Sequence, residues 1–97
     1  MPRQLPTSLP PPQPRISSLG ELGTLVRHRR LKQQLRIDDA ASFCGVSANL
    51  LSRLENGRPV QTDKLLLVLS GLGLGMILGP KAATADIELP TIAFEGA

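Results

Sequence analysis

Positions 48, 49, 52 and 53 hold the residues whose chemistry has the clearest use in this 97-residue chain: Ala48, Asn49, Ser52 and Arg53. At helical spacing they share one outward face. Arg and Asn side chains can pair in two-pronged fashion with the edges of guanine and adenine. Ser can bond to either, and an Ala methyl can meet the methyl of thymine. Around them stand Arg36, Ser47, Asn56 and Arg58, residue types that hold phosphate oxygens, Ser47 also through the amino end of the helix it starts. An ordinary solvated helix would carry Lys and Glu here. Other chemistry has no comparable footing. The single His28 has no acid–base partner nearby, no glycine loop is shaped for a nucleotide, and no metal-ligand cluster is spaced for an ion. The chain is therefore expected to be no enzyme and to need no cofactor.

Those residues need a scaffold that holds one short helix outward. Residues 36–59, RIDDAASFCGVSANLLSRLENGRP, provide two helical stretches around one sharp turn, which is the layout of a helix-turn-helix. The first is expected to begin near Asp38 and Asp39, acids suited to the amino end of a helix dipole. Ala40, Ala41 and Cys44 give it a thin inner face, Gly45 ends it, and Val46 plugs the corner. Ser47 caps the second, which turns Leu50, Leu51 and Leu54 inward; Gly57 and Pro59 close it.

Flanking elements complete a core. Ser18 and Glu21 form a capping box for a preceding helix with Leu19, Leu22, Leu25 and Val26 at helical spacing, ending near Gln34. Thr62 is placed to cap a later helix whose Leu65, Leu66, Val68, Leu69 and Leu72 seal the core. Leu74, Met76, Ile77 and Leu78 then read as a short strand stopped by Gly79-Pro80. A lone strand lacks a ladder partner in its own chain, so pairing with its copy in a second subunit would make a two-fold dimer. An irregular extended segment lying over the core is the alternative.

Charge and composition set the boundaries. Six of the first fourteen residues are proline, so residues 1–17 read as a disordered arm. Residues 18–80 form the folded domain, and 81–97 a flexible tail. Residues 15–81 carry ten Lys or Arg against five Asp or Glu, whereas 82–97 carry Asp86, Glu88 and Glu95 and no base. The basic body suits a polyanion, and the acidic tail is repelled by one. Tyr and Trp are absent, which disfavours single strands and RNA as ligands. Cys44 is expected to be a buried hydrophobe and not a reactive thiol. No apolar run spans a bilayer and no signal peptide opens the chain, so the expectation is a cytoplasmic protein, on the nucleoid when bound to DNA.

Over residues 19–73 the chain resembles the Cro/C1-type helix-turn-helix repressors, the XRE family. The matching residues are Ala41 at the helix crossing, Gly45 and Val46 at the turn, Leu51 and Leu54 inside, and the closure Glu55-Asn56-Gly57. The resemblance implies a mainly α, compact four- to five-helix lambda-repressor-like domain, bound as a dimer to double-stranded operator DNA. It also implies a partly buried ion pair between Arg30 and Glu55. Two positions depart from the family pattern. Ile37 replaces the frequent Gln at the start of the second helix, so Arg36 or Asn56 would take over its phosphate contact. Arg29 stands where the first helix often carries Leu.

A narrower resemblance is to HipB-type antitoxins, which place an apolar strand directly after the last helix, where Leu74 to Leu78 fall. It implies the antitoxin of a type II toxin–antitoxin system, repressing its own operon and binding a HipA-like kinase toxin. Ile87, Leu89, Ile92 and Phe94, apolar residues among the tail acids, are then candidate toxin-docking anchors. The alternatives are a tail that tunes degradation or has no partner, and a stand-alone XRE-type regulator with no toxin.

Overall fold

The computed structural model describes residues 15–85. Five helices follow in order: α1 (Leu19–Lys32), α2 (Ile37–Cys44), α3 (Ala48–Glu55), α4 (Thr62–Gly71) and α5 (Lys81–Ala85). The first four enclose one core. Val26 of α1, Leu51 and Leu54 of α3, and Val68 and Leu72 at α4 and its end are fully buried, with Ala40, Ala41 and Cys44 of α2 filling the remaining side. No helix among the described residues is long and apolar enough to cross a membrane.

Helix α1 starts where its polar residues satisfy orphan amides. Ser18 Oγ accepts from the Glu21 amide at 3.1 Å. The Glu21 carboxylate accepts from the Ser17 amide at 2.6 Å and the Ser17 hydroxyl at 2.8 Å, one residue further out than a simple capping box. The Ser17 amide, then its hydroxyl, hold the Glu21 carboxyl below the usual carboxylate range. Leu19 lies 45% exposed, outside the inner face it was expected to join.

Helix starts and stops differ by a residue or two from the sequence reading. Helix α1 ends at Lys32, and Gln34 takes a left-handed φ of 59° in the connection. Helix α2 begins at Ile37, ahead of Asp38, and Arg36 caps it with no side-chain bond. Gln61 precedes α4 as its cap residue, also without a side-chain bond; Thr62, expected as the cap, is already helical. Gly45 has φ 80° with nothing within 4 Å of a built Cβ, so its backbone conformation is what selects glycine there.

Two glycines act by leaving room. A Cβ on Gly23 of α1 would collide with the carbonyl oxygens of Leu54 and Glu55, so α1 rests directly on the backbone that ends α3. A Cβ on Gly71 of α4 would fall 2.5 Å from Cys44 Sγ and 3.1 Å from Cys44 Cα, so α2 and α4 touch through that gap. Burial there pushes the Cys44 thiol pKa up and favours the protonated form.

Among the described residues after α4 there is no strand, and residues 74–80 run without regular structure. The Leu74 amide bonds to the Leu69 carbonyl at 2.7 Å, and its side chain packs partly on the core. Met76, Ile77 and Leu78 are 51, 64 and 83% exposed. A helix, α5, then occupies the start of what the sequence reading treated as flexible tail. The proline-rich arm up to residue 14, and Ile87, Leu89, Ile92 and Phe94, lie outside the described residues.

The glycines of α1 offer a matched test. Gly20 meets only Ser18 Oγ, 3.8 Å from a built Cβ, whereas Gly23 meets two carbonyls. Gly20→Ala should raise stability by up to about 1 kcal/mol through helix propensity. Gly23→Ala should lower it by about 1–3 kcal/mol or more by overpacking. Urea unfolding of both variants checks the pair, and equal effects would place the two positions in the same environment.

Candidate nucleic-acid interface

Helix α3 is fixed from both ends. Ser47 has extended backbone, and its Oγ accepts from the Leu50 amide at 3.0 Å. That leaves the remaining amides of the first turn directed outward beside an exposed hydroxyl-bearing residue. At the other end the Gly57 amide bonds to the Leu54 carbonyl at 3.0 Å and the Arg58 amide to the Arg53 carbonyl at 2.9 Å. The positive φ of Gly57, 76°, lets the chain reverse there. Gly57 also lies against α1: a Cβ on it would sit 3.0 Å from Gly20 Cα.

Leu51 and Leu54 anchor α3 inward, and Leu50 is half-buried. Ala48, Asn49 and Arg53 are exposed on the opposite side, and Ser52 is half-buried. Arg53 does not extend freely, because its guanidinium donates to the Pro59 carbonyl at 2.8 Å. The Asn56 side-chain amide donates to the Ser52 carbonyl at 2.7 Å. One helix and its exit thus carry Ser47, Ala48, Asn49, Ser52, Arg53, Asn56 and Arg58 on a single surface. Arg36 stands apart at the start of α2. Its guanidinium lies 3.4 Å from Asp38 in a pair whose side chains are 79 and 60% exposed. Such a pair is worth little in water and yields readily to a phosphate.

Behind this surface Arg30 holds three elements together. Its Nε and a terminal nitrogen donate to the two Glu55 oxygens at 2.6 and 2.9 Å, and its other terminal nitrogen donates to the Leu35 carbonyl at 2.8 Å. Side-chain exposures of 10 and 5% make this a buried, two-pronged pair. It ties α1 to the last residue of α3 and to the link entering α2.

Arg29 and Gln33 do related work on α4. Both donate to the Leu72 carbonyl, at 2.8 and 3.0 Å, and so cap the end of that helix. An arginine at a position where apolar residues are frequent is accommodated because its head group finds a helix terminus. The sequence reading missed this latch, the Pro59 carbonyl that orients Arg53, and the room left by Gly23. None of the three has a local spacing signal, since each joins residues through folding alone. Beside the basic turn of α1, burial and then the charge of Lys32 hold His28 below its ordinary pKa, which favours the neutral ring at neutral pH. Among the described residues no group of three or more His, Cys, Asp or Glu is placed to hold a metal ion.

The helix-turn-helix domain family matches residues 21–75, from the first turn of α1 to just past α4. The chain belongs to the helix-turn-helix domain family. A relative in Sinorhizobium fredii, an uncharacterized HTH-type transcriptional regulator, is 41% identical over 68 residues, covering 68% of this chain and 90% of the relative. Both findings fit an XRE-like helix-turn-helix protein. Within this helix-turn-helix, α2 is the supporting helix and α3 the exposed one.

The Arg30–Glu55 pair sets an expectation for stability. Removing one partner of a buried pair leaves the other charge uncompensated, at a cost of about 3–5 kcal/mol. Glu55→Ala should lose stability on that scale in thermal or urea unfolding. An unchanged midpoint would mean that both charges are solvated in solution.

Proposed function

We propose that this chain is a sequence-specific, DNA-binding transcription regulator that places α3 in the major groove and acts by binding, without catalysis. The observation that carries the reading is the α3 surface: small and hydrogen-bonding side chains outward, a serine-capped amino end, and basic residues at its exit. In this reading Ala48, Asn49, Ser52 and Arg53 meet base edges. Arg36, Ser47, Asn56 and Arg58 meet phosphates. The relative's description as a transcriptional regulator supports it.

Arg53 is the sharpest test, because its bond to the Pro59 carbonyl gives the guanidinium a defined direction before DNA arrives. Arg53→Ala should weaken binding to the preferred site by about 1–3 kcal/mol and relax preference at one base pair. Equal losses on preferred and scrambled duplexes, measured by fluorescence anisotropy, would make Arg53 a phosphate contact instead.

The proposed binding unit is a homodimer joined by the segment Leu74, Met76, Ile77 and Leu78, pairing as strands across a two-fold axis. The exposure of Met76, Ile77 and Leu78, on a stretch (75–79) with no backbone hydrogen bond to the other described residues, supports it. Two copies of α3 would then read half-sites about 34 Å apart, or a multiple of that. Ile77→Pro should convert the dimer to monomer in sedimentation at micromolar concentration. A parent chain that sediments as a monomer, or a dimer indifferent to that proline, refutes the segment as the joint.

A second, narrower reading is that the regulator is a type II antitoxin that represses its own operon as a dimer and binds a HipA-like kinase toxin. The exposed apolar segment directly after α4 favours it, being placed as in the HipB-type antitoxins. Ile87, Leu89, Ile92 and Phe94 would supply the toxin anchors. Replacing those four with Ser should abolish neutralisation of a kinase encoded beside the gene and spare dimerisation. A gene with no such neighbour leaves the stand-alone regulator.

A further inference from the structure

We infer that Arg29 and Gln33 are positioning residues for the reading of paired half-sites: by holding the Leu72 carbonyl they fix the direction in which residues 74–78 leave α4, and so set the separation of the two α3 helices in the dimer. The inference rests on the proposed dimeric DNA-binding reading, but the hold on the segment can be tested without DNA.

The first observation is the turn that ends α4. The Gly73 amide bonds to the Ser70 carbonyl at 3.1 Å and the Leu74 amide to the Leu69 carbonyl at 2.7 Å, with Gly73 at a left-handed φ of 75°. That pattern is a Schellman turn, which ends a helix and redirects the chain. It satisfies the Leu69 and Ser70 carbonyls. It leaves the Leu72 carbonyl, the acceptor that the Met76 amide would need if α4 continued. Arg29 Nε and the Gln33 side-chain amide take that acceptor instead, at 2.8 and 3.0 Å, from the last turn of α1 and its cap residue. A carbonyl oxygen has two lone pairs, and two side-chain donors occupy them. Helix α4 therefore does not resume at Met76, and residues 75–79 make no backbone hydrogen bond to the other described residues.

The second observation is that this exit needs an outside hold. Glycines stand at 73 and 75, on either side of Leu74, so the backbone there has little conformational preference of its own. A Cβ built on Gly75 has no atom within 4 Å. A Cβ built on Gly73, in contrast, lies 3.0 Å from a terminal nitrogen of Arg29. The guanidinium thus lies against the turn as well as on the carbonyl. It forms no ion pair with an acid among the described residues, and its charge is placed to complement the carboxyl end of the α4 dipole.

The third observation is where the hold comes from. Arg29 and Arg30 are consecutive residues of α1. Arg30 grips Glu55, the last residue of α3, and the Leu35 carbonyl. One turn of α1 therefore fixes both the end of α3 and the exit toward the proposed joint. Register on DNA makes that shared reference matter. Base pairs rise by about 3.4 Å, so in a two-fold dimer a shift of each α3 by about 1.7 Å along the duplex changes their separation by one base pair. A glycine hinge alone is too loose for that tolerance. Arg29 and Gln33 turn body and exit into one rigid piece.

The test uses the full chain and the double variant Arg29→Met, Gln33→Met, which keeps side-chain length and removes both donors. Leu25→Ala, a core truncation outside the latch, controls for loss of stability alone. In the DNA-free protein the Gly73 and Leu74 amides should have NMR order parameters of about 0.85 in the parent and in Leu25→Ala, and below about 0.6 in the double variant. A duplex selected by the parent from a random pool is then lengthened or shortened between its half-sites, one base pair at a time. The parent and Leu25→Ala should lose about tenfold or more in affinity for one base pair of change. The double variant should lose less than about threefold, and bind a single half-site within about twofold of the parent. Unchanged order at Gly73 and Leu74 in the double variant overturns the inference. So does a spacing profile as sharp as the parent's, or one that Leu25→Ala flattens equally. A parent that binds as a monomer refutes the dimer and the spacing role with it. A parent that binds no duplex refutes the regulator reading, while the order parameters still decide whether Arg29 and Gln33 hold the exit.

Discussion

Arg30 is the residue on which the rest of the arrangement depends. Its guanidinium spends all three nitrogens on Glu55 and the Leu35 carbonyl, so one buried side chain joins α1, the end of α3 and the entrance to α2. A buried guanidinium is tolerable only when its donors are met and its charge is balanced. Glu55 balances the charge, and Leu35 satisfies a donor that the carboxylate cannot reach. The same geometry requires α1 and α3 to lie very close, and Gly23 makes that approach possible. Ion pair and glycine are two halves of one constraint: without the close approach the charges would not meet, and without the pair the approach would bury an uncompensated charge.

The constraint matters for function because Glu55 is the last residue of α3. Holding that end, while Ser47 caps the other, gives α3 a fixed pose although it is only eight residues long. So short a helix would not persist alone in water. Its outer side chains can then remain short, since tertiary contacts and not surface pairs stabilise it. Arg53 benefits further: anchored to the Pro59 carbonyl, it surrenders part of its rotamer freedom in folding and not in binding. Rigidity is thus concentrated behind the surface proposed to meet DNA. The large exposed apolar side chains lie on other elements, among them Phe43 of α2, Leu66 and Leu67 of α4 and the segment from Met76 to Leu78.

That separation suits a small regulator. Reading a site and finding a partner place opposite demands on a surface, the first for hydrogen-bonding groups in fixed positions and the second for apolar area. With four helices around one core, the hydrogen-bonding face of α3 and the exposed apolar side chains of α4 and Met76 to Leu78 fall on different elements.

The helices themselves were legible in the sequence because their signals are local. Ser18, Ser47, Gly45, Gly57 and Pro59 act within a few residues of where they stand, and the small residues Ala40, Ala41 and Cys44 announce a close crossing. The outward face of α3 was legible for the same reason, since helical spacing alone separates Leu51 and Leu54 from Asn49 and Arg53. The inner face of α4 was not. Leu65 to Leu69 are all apolar, so periodicity offers no stripe, and only packing against α2 decides that Val68, Leu69 and Leu72 go in while Leu66 and Leu67 stay out. Residues 74–78 are apolar enough for a strand, but a strand is defined by its neighbour, and the described residues of this chain supply none. The Arg29 and Gln33 latch, the Pro59 anchor and the vacancy at Gly23 likewise exist only once distant residues have been brought together. Sequence by itself determined the first four helices and the face α3 would show; tertiary structure decided which charges are buried and which leucines are covered, because each of those depends on contacts between residues far apart in the chain.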